Sequence, residues 1–278
     1  MSKVLPGWKM TPALHEAIGA CTAADHYSAM YGDLCHCLPL QVNLQERHLS
    51  HALYFQLCKI KYAAWRYRVD FKRARRHSLA DVFQDLVAFY LRAALPKGYE
   101  VHLEVPKRMS KEGKMVTIQP DICIKRDGKM HLVIEAKTTI GWARPNFKLS
   151  EDAAYKAMQE RIDDVAHSFG IPENNVIFVF EEPTNVSAKY FLPKFWNAEK
   201  AEPVSRPTRG VLAQIYPLYI TTDPYYWNYW KSTKQIPKGR KRTDWFPLSL
   251  PDQLILEHAE RSVVTPLESI LSLIQKVS

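Results

Sequence analysis

Asp121, Glu135 and Lys137 are the residues whose types and spacing best suit chemistry in this chain. Asp121 lies in an apolar run from Ile118 to Lys125, and Glu135 and Lys137 lie in a second run from His131 to Thr138. Side chains two apart on a strand share a face, so Glu135 and Lys137 project together while Leu132, Ile134 and Ala136 point to the other side. Whether Asp121 joins them depends on the turn Lys125-Arg126-Asp127-Gly128-Lys129. A two-residue Asp-Gly turn sets Asp121 opposite Ile134, on the wrong face. A type I turn with Gly128 left-handed makes a three-residue loop and sets Asp121, Val133, Glu135 and Lys137 on one face. The hydrophobic pattern selects the second register, because it buries Ile122 and Ile124 with the apolar set of the partner strand.

Two carboxylates and a lysine on one face suit hydrolysis of a phosphodiester. Carboxylates are hard oxygen ligands for Mg²⁺, which keeps several waters and borrows phosphate oxygens. Bound metal makes water a better nucleophile and stabilises charge developing on phosphorus. The same three residues also read as solvated charges in ordinary cross-strand pairs. Pro120 ahead of the first acid, two strongly apolar strands and the burial demanded of their other face favour the site.

Pro120-Asp121 followed by Glu135-Ala136-Lys137 resembles the PD-(D/E)xK signature of the restriction-endonuclease-like nucleases. The resemblance covers about residues 78–182. It implies an α/β fold with an α-β-β-β-α-β core and a central mixed sheet. The expected elements are a helix from Ser78 to Leu95, strands Tyr99–Pro106, Met115–Lys125 and His131–Thr138, a helix Glu151–Phe169, and a buried strand Asn175–Phe180. The resemblance further implies Mg²⁺, with Mn²⁺ as a substitute, held by Asp121, Glu135 and the main-chain carbonyl of Ala136. Lys137 positions or activates the attacking water. Nucleases of this kind often carry a third acid on the preceding helix. Asp85, at the flank of the stripe Leu79, Val82, Phe83, Leu86, Tyr90 and Ala93, is the candidate, and Asp81 is second because helix capping already explains it. The expected activity is endonuclease cleavage of double-stranded DNA, with a homodimeric type II restriction endonuclease as the favoured subtype. A junction resolvase, a transposon end-cleaving subunit, a defence nuclease and a non-catalytic DNA-binding protein on this fold stay open.

Composition sets the frame for these elements. The 278 residues are 46% hydrophobic and 12% aromatic, enough for a sizeable core, and carry a net charge of +9 that suggests a polyanionic partner. No apolar run reaches the roughly 18 residues of a membrane span. Nothing near Met1 reads as a signal peptide, and five irregularly spaced cysteines suit a reducing cytoplasm.

Three regions follow from the charge pattern. Residues 1–77 read as a helical, basic N-terminal region, 78–182 as the nuclease core, and 183–278 as an irregular aromatic and basic elaboration packed on it. Cys21, His26, Cys35, His36, Cys37, His48 and His51 match no paired zinc-ligand spacing. Lys59 to Arg76 hold eight basic residues against Asp70, interleaved with Tyr62, Trp65, Tyr67 and Phe71. That pattern suits either a nucleic-acid face, with Arg73, Arg75 and Arg76 as contacts, or a solvated helix with its aromatics inward. Arg144 and Lys148 follow the catalytic strand and are further DNA candidates, and Tyr155 and Gln159 share a face of the next helix. Six basic residues and no acid lie in Lys231 to Arg242, where Lys238, Arg240, Lys241 and Arg242 are the last DNA-contact candidates. Two amphipathic helices, Pro251 to Ser262 and Pro266 to Lys276, close the chain.

Overall fold

The computed structural model describes residues 48–70, 79–138, 151–182, 192–224 and 252–277. The chain divides into two compact units, one comprising Met1–Leu79 with Thr221–Ser262 and the other Ala80–Ile220 with Val263–Ser278. Among the described residues no helix is long and apolar enough to cross a membrane.

The first unit pairs helix α1 (His48–Asp70) with helix α4 (Asp252–Ser262). Leu49, Leu53, Leu57 and Ile60 are buried along α1 at helical spacing. Two lysines of the basic run turn inward here. Lys59 is 9% exposed and its ammonium lies 2.5 Å from Asp252, while Lys61 donates to the Thr222 hydroxyl. Lys59 is therefore a structural residue, and Lys61, half-buried, has its ammonium directed to Thr222. Tyr54 and His258 meet in the interior, and the Ser262 hydroxyl lies 2.9 Å from His258 Nδ1.

The second unit is α/β with a central mixed sheet. Helix α2 (Ala80–Ala94) buries Val82, Phe83, Leu86, Val87 and Tyr90, then stops at Pro96 and Gly98. Strands β1 (Tyr99–Leu103), β4 (Ile122–Arg126), β5 (Lys129–Lys137), β6 (Val176–Phe180) and β9 (Ile215–Pro217) form one sheet in the order β1-β4-β5-β6-β9. The first three strands run antiparallel to their neighbours and the last three run parallel. Helix α3 (Glu151–Phe169) makes the crossover between β5 and β6. Every residue of β6 is buried, as a parallel strand covered on both faces requires. Full burial of Phe178 or Phe180 contributes about 1.5–3 kcal/mol each. Helix α5 (Leu267–Lys276) completes the unit with Leu267, Ile270, Leu271 and Ile274 buried.

Two expectations about the strands need correction. The run Met115–Lys125 is not one strand. Lys114–Ile118 (β3) pairs with Lys107–Lys111 (β2) in a separate two-stranded hairpin, and Gln119-Pro120-Asp121 breaks the chain before β4 begins. Proline lacks the N–H needed to continue a ladder. Tyr99–Pro106 likewise stops at Leu103, because Glu104 adopts a φ of 52°. Strand β7 (Trp196–Asn197) pairs with β8 (Glu202–Pro203) in a small outlying ribbon.

The β4–β5 turn is a third correction. Arg126 faces Lys129, so the connection has two residues, Asp127 and Gly128, at φ 50° and 77°. Both positive values define a type I′ turn. The register nonetheless brings Ile122 opposite Ile134, because the pairing shifts between Ile124 and Lys125. His131 is the extra residue, a β-bulge that restores the register the hydrophobic pattern demands. Its environment is built for it. The Asn175 side chain donates to the His131 carbonyl at 2.9 Å, the imidazole Nε2 donates to the Ile274 carbonyl at 2.7 Å, and Tyr99 packs edge-on against the ring.

Candidate active site

The corrected register carries the acids onto one face. Continuing the pairing one residue past Ile122 and Ile134 sets Asp121 beside Glu135, and one residue beyond that sets Ala136 opposite Pro120. The Ala136 N–H donates to Asp121 Oδ2 at 2.8 Å. In an antiparallel ladder a residue's N–H and C=O point to the same neighbour, so the Ala136 carbonyl is directed to this edge too. Pro120 has no N–H to give it. The proline thus offers the Ala136 carbonyl no ladder donor, while the Asp121 carboxylate accepts the Ala136 N–H.

Lys137 joins the two acids. Its ammonium lies 2.5 Å from Asp121 Oδ2 and 3.1 Å from Glu135 Oε2. The Lys137 and Asp121 side chains are 17% and 19% exposed, whereas that of Glu135 is only 2% exposed. A carboxylate so deeply placed needs partners for its charge.

The second partner of Glu135 was not anticipated from the sequence. Arg161, on α3, donates to Glu135 Oε1 from Nε at 2.9 Å and from Nη2 at 2.7 Å. Nη2 also donates to the Gln119 carbonyl at 3.0 Å, so the guanidinium ties β5 to the segment that carries Asp121. The signal was present in the sequence. Ala154, Met158, Val165 and Ser168 are buried at spacings of four and three that pass through position 161. A cation in the buried stripe of a helix calls for an anion on the element it covers.

The site therefore holds two carboxylates and two cations. Behind it, Cys123 is fully buried, and burial first, then the neighbouring Glu135 and Asp121 charges, push its thiol up to about 11. Among the described residues, no three His, Cys, Asp or Glu side chains converge as a metal cage. The donor set of Asp121, Glu135 and the Ala136 carbonyl fits a hard cation that draws its other ligands from water and substrate, as Mg²⁺ does. Both bonds to Asp121 fall on Oδ2, which leaves Oδ1 for such an ion. Glu135 has Oε1 taken by two Arg161 contacts and Oε2 near Lys137, so Oε2 is the oxygen with a lone pair left for such an ion.

Asp85 is half-buried on α2, with partners of its own, and Asp81 is exposed in its first turn. The Tyr155 hydroxyl accepts from Lys194 at 2.7 Å, and Gln159 donates to Asp163 at 2.7 Å. The N-cap Ser78 and the DNA-contact candidates Arg73, Arg75, Arg76, Arg144, Lys148, Lys238, Arg240, Lys241 and Arg242 lie outside the described residues. No family model, curated protein or solved structure matches this chain.

Proposed function

We propose that this chain is a Mg²⁺-dependent endonuclease that hydrolyses DNA phosphodiester bonds on a restriction-endonuclease-like core, most similar to a type II restriction endonuclease. The observation that carries the reading is the shared face of Asp121, Glu135 and Lys137, with Lys137 within 3.1 Å of both acids. The order of α2, β1, β4, β5, α3 and β6 supports it, since it matches an α-β-β-β-α-β core once the β2–β3 hairpin is set aside. The net charge of +9 supports a polyanionic substrate.

In this reading Asp121, Glu135 and the Ala136 carbonyl hold the metal. When bound, the ion supplies a more acidic water and charge stabilisation at phosphorus. Lys137 orients the attacking water by its ammonium, which is already hydrogen-bonded at the Asp121 carboxylate. Arg161 is a positioning residue that fixes the rotamer of Glu135 from behind.

One observation favours a second reading. Both acids are already in ion pairs, an arrangement that also suits a non-catalytic DNA-binding protein. Incubating supercoiled plasmid with the full chain in Mg²⁺ or in chelator separates the two. Nicking or linearisation that needs Mg²⁺ is expected. Plasmid left intact in Mg²⁺ and Mn²⁺, but shifted on a gel, would establish the binder instead. Discrete fragments from a long DNA would distinguish a restriction enzyme from a resolvase or a degrading nuclease.

A further inference from the structure

The β2–β3 hairpin, Lys107–Ile118, has two unlike faces. Its turn is Glu112-Gly113, at φ 51° and 76°, a second two-residue type I′ connection. One face is fastened to α3. Lys111 places its ammonium 2.7 and 2.6 Å from the two oxygens of Asp164, the Ser168 hydroxyl donates to Met109 Sδ at 2.8 Å, and Lys107 lies over the Phe169 ring. The Asp164 carboxylate holds the Lys111 ammonium above its ordinary pKa. The other face carries Arg108 and Ser110 on β2 against Thr117 and Met115 on β3, all exposed. Met115, 68% exposed, is one of two large hydrophobic residues left exposed among the described residues.

The helix beneath connects this hairpin to the acids. Arg161, Asp164 and Ser168 follow at spacings of three and four and so share a side of α3. The first holds Glu135 and Gln119, and the other two hold the hairpin. From Arg161 to Asp164 the rise along the axis is about 4.5 Å. The hairpin also leads directly, through Gln119 and Pro120, into Asp121.

We infer that the outward face of this hairpin is a β-ribbon that enters a groove of duplex DNA and contacts it beside the scissile phosphate. The inference rests on the nuclease reading of the acid site. A two-stranded ribbon fits the major groove, about 12 Å wide. Arg108 is the cation of the outward face and complements a phosphate backbone, whereas Lys111 is already paired with Asp164 on the inner face. Arg108 supplies a fork for guanine or phosphate, Ser110 and Thr117 supply hydroxyls for base edges, and Met115 supplies an apolar contact for a thymine methyl. The inner face fastens this set to the helix that also holds Glu135.

The test is binding of the full chain to a short random-sequence DNA duplex in Ca²⁺, over a range of salt, for the wild type, Arg108→Ala, Met115→Ala and Arg108→Ala/Thr117→Ala. Circular dichroism checks that each variant is folded. Arg108→Ala is expected to weaken binding about tenfold and to lower the salt slope by about 1 if its contact is a phosphate. Arg108→Lys, which keeps the charge, should keep the wild-type slope. If the wild type binds duplex and all three variants bind it equally with the same slope, the ribbon does not touch DNA and the inference fails while the nuclease reading stands. Wild type that binds no DNA overturns both. A preference for single strands over duplex overturns the groove contact. Concentration-dependent self-association that Met115→Asp abolishes, with DNA binding unchanged, assigns the face to a second copy and overturns it too.

Discussion

Arg161 Nε and Nη2 both bond to one oxygen of Glu135, at 2.9 and 2.7 Å, while the other oxygen lies 3.1 Å from Lys137. The most deeply buried charge of the site is thereby held between a helix and its own strand. Glu135 is fixed in rotamer, and its charge is compensated before any ligand arrives.

Removing the arginine should expose that dependence. Arg161→Ala is expected to lower stability in urea by about 1–3 kcal/mol, since a buried acceptor loses its donors. Adding Glu135→Gln to it should recover part of the loss, because the unpaired charge goes with it. Additive effects of the two changes would mean that the pair carries no coupling in solution.

Chemistry and binding should separate at the strand. Glu135→Ala and Lys137→Ala are each expected to lower Mg²⁺-dependent plasmid cleavage by about 100-fold or more. Duplex binding in Ca²⁺ should persist in both. Cleavage at the wild-type rate by Glu135→Ala would remove β5 from the chemistry.

A pH-dependence follows from Cys123. Its folded pKa is raised to about 11, against 9.0 for the exposed thiol, chiefly by burial. A raised pKa means that the unfolded chain loses the proton first. The thiol's contribution is intact below pH 9 and is lost as pH rises toward 11, by on the order of 2 kcal/mol. Urea midpoints of wild type and Cys123→Ala, compared across that window, should show a shallower decline in the variant. Parallel declines would place the thiol in water.

The turn should be separable from the site. Gly128 sits at φ 77° with open space where a Cβ would go, so Gly128→Ala meets a backbone penalty alone, about 1 kcal/mol. Cleavage per folded molecule should be unchanged, because the bulge at His131 lies between the turn and the acids. Loss of cleavage by folded protein would show that the turn sets the register after all.

What could be read from the sequence divides along the same line. Ile122, Ile124, Ile134 and Ala136 must be buried, and that alone orients Asp121, Glu135 and Lys137, whichever turn closes the hairpin. The bulge was not legible, because its support comes from Asn175 and Ile274, 44 and 143 residues away. Arg161 was legible only as an anomaly in an apolar stripe. Its partner depends on how the crossover helix lies on the sheet. Lys59 and Lys61 show the converse, since charge density in a run does not say which members face an internal Asp252 or Thr222.

On the nuclease proposal, the pairing of two acids with two bases also sets how the molecule would meet a polyanionic substrate from a distance. Charges that sum to zero within a few ångströms leave only a short-ranged field, which dies away well inside one Debye length of about 8 Å at physiological salt. These four side chains by themselves exert little pull on an approaching polyanion, and the excess of +9 lies elsewhere in the chain. On that proposal, the rate of capture and the rate of bond breaking belong to different residues. Added salt should slow the first while leaving the second, measured in a single turnover from pre-bound complex, nearly untouched.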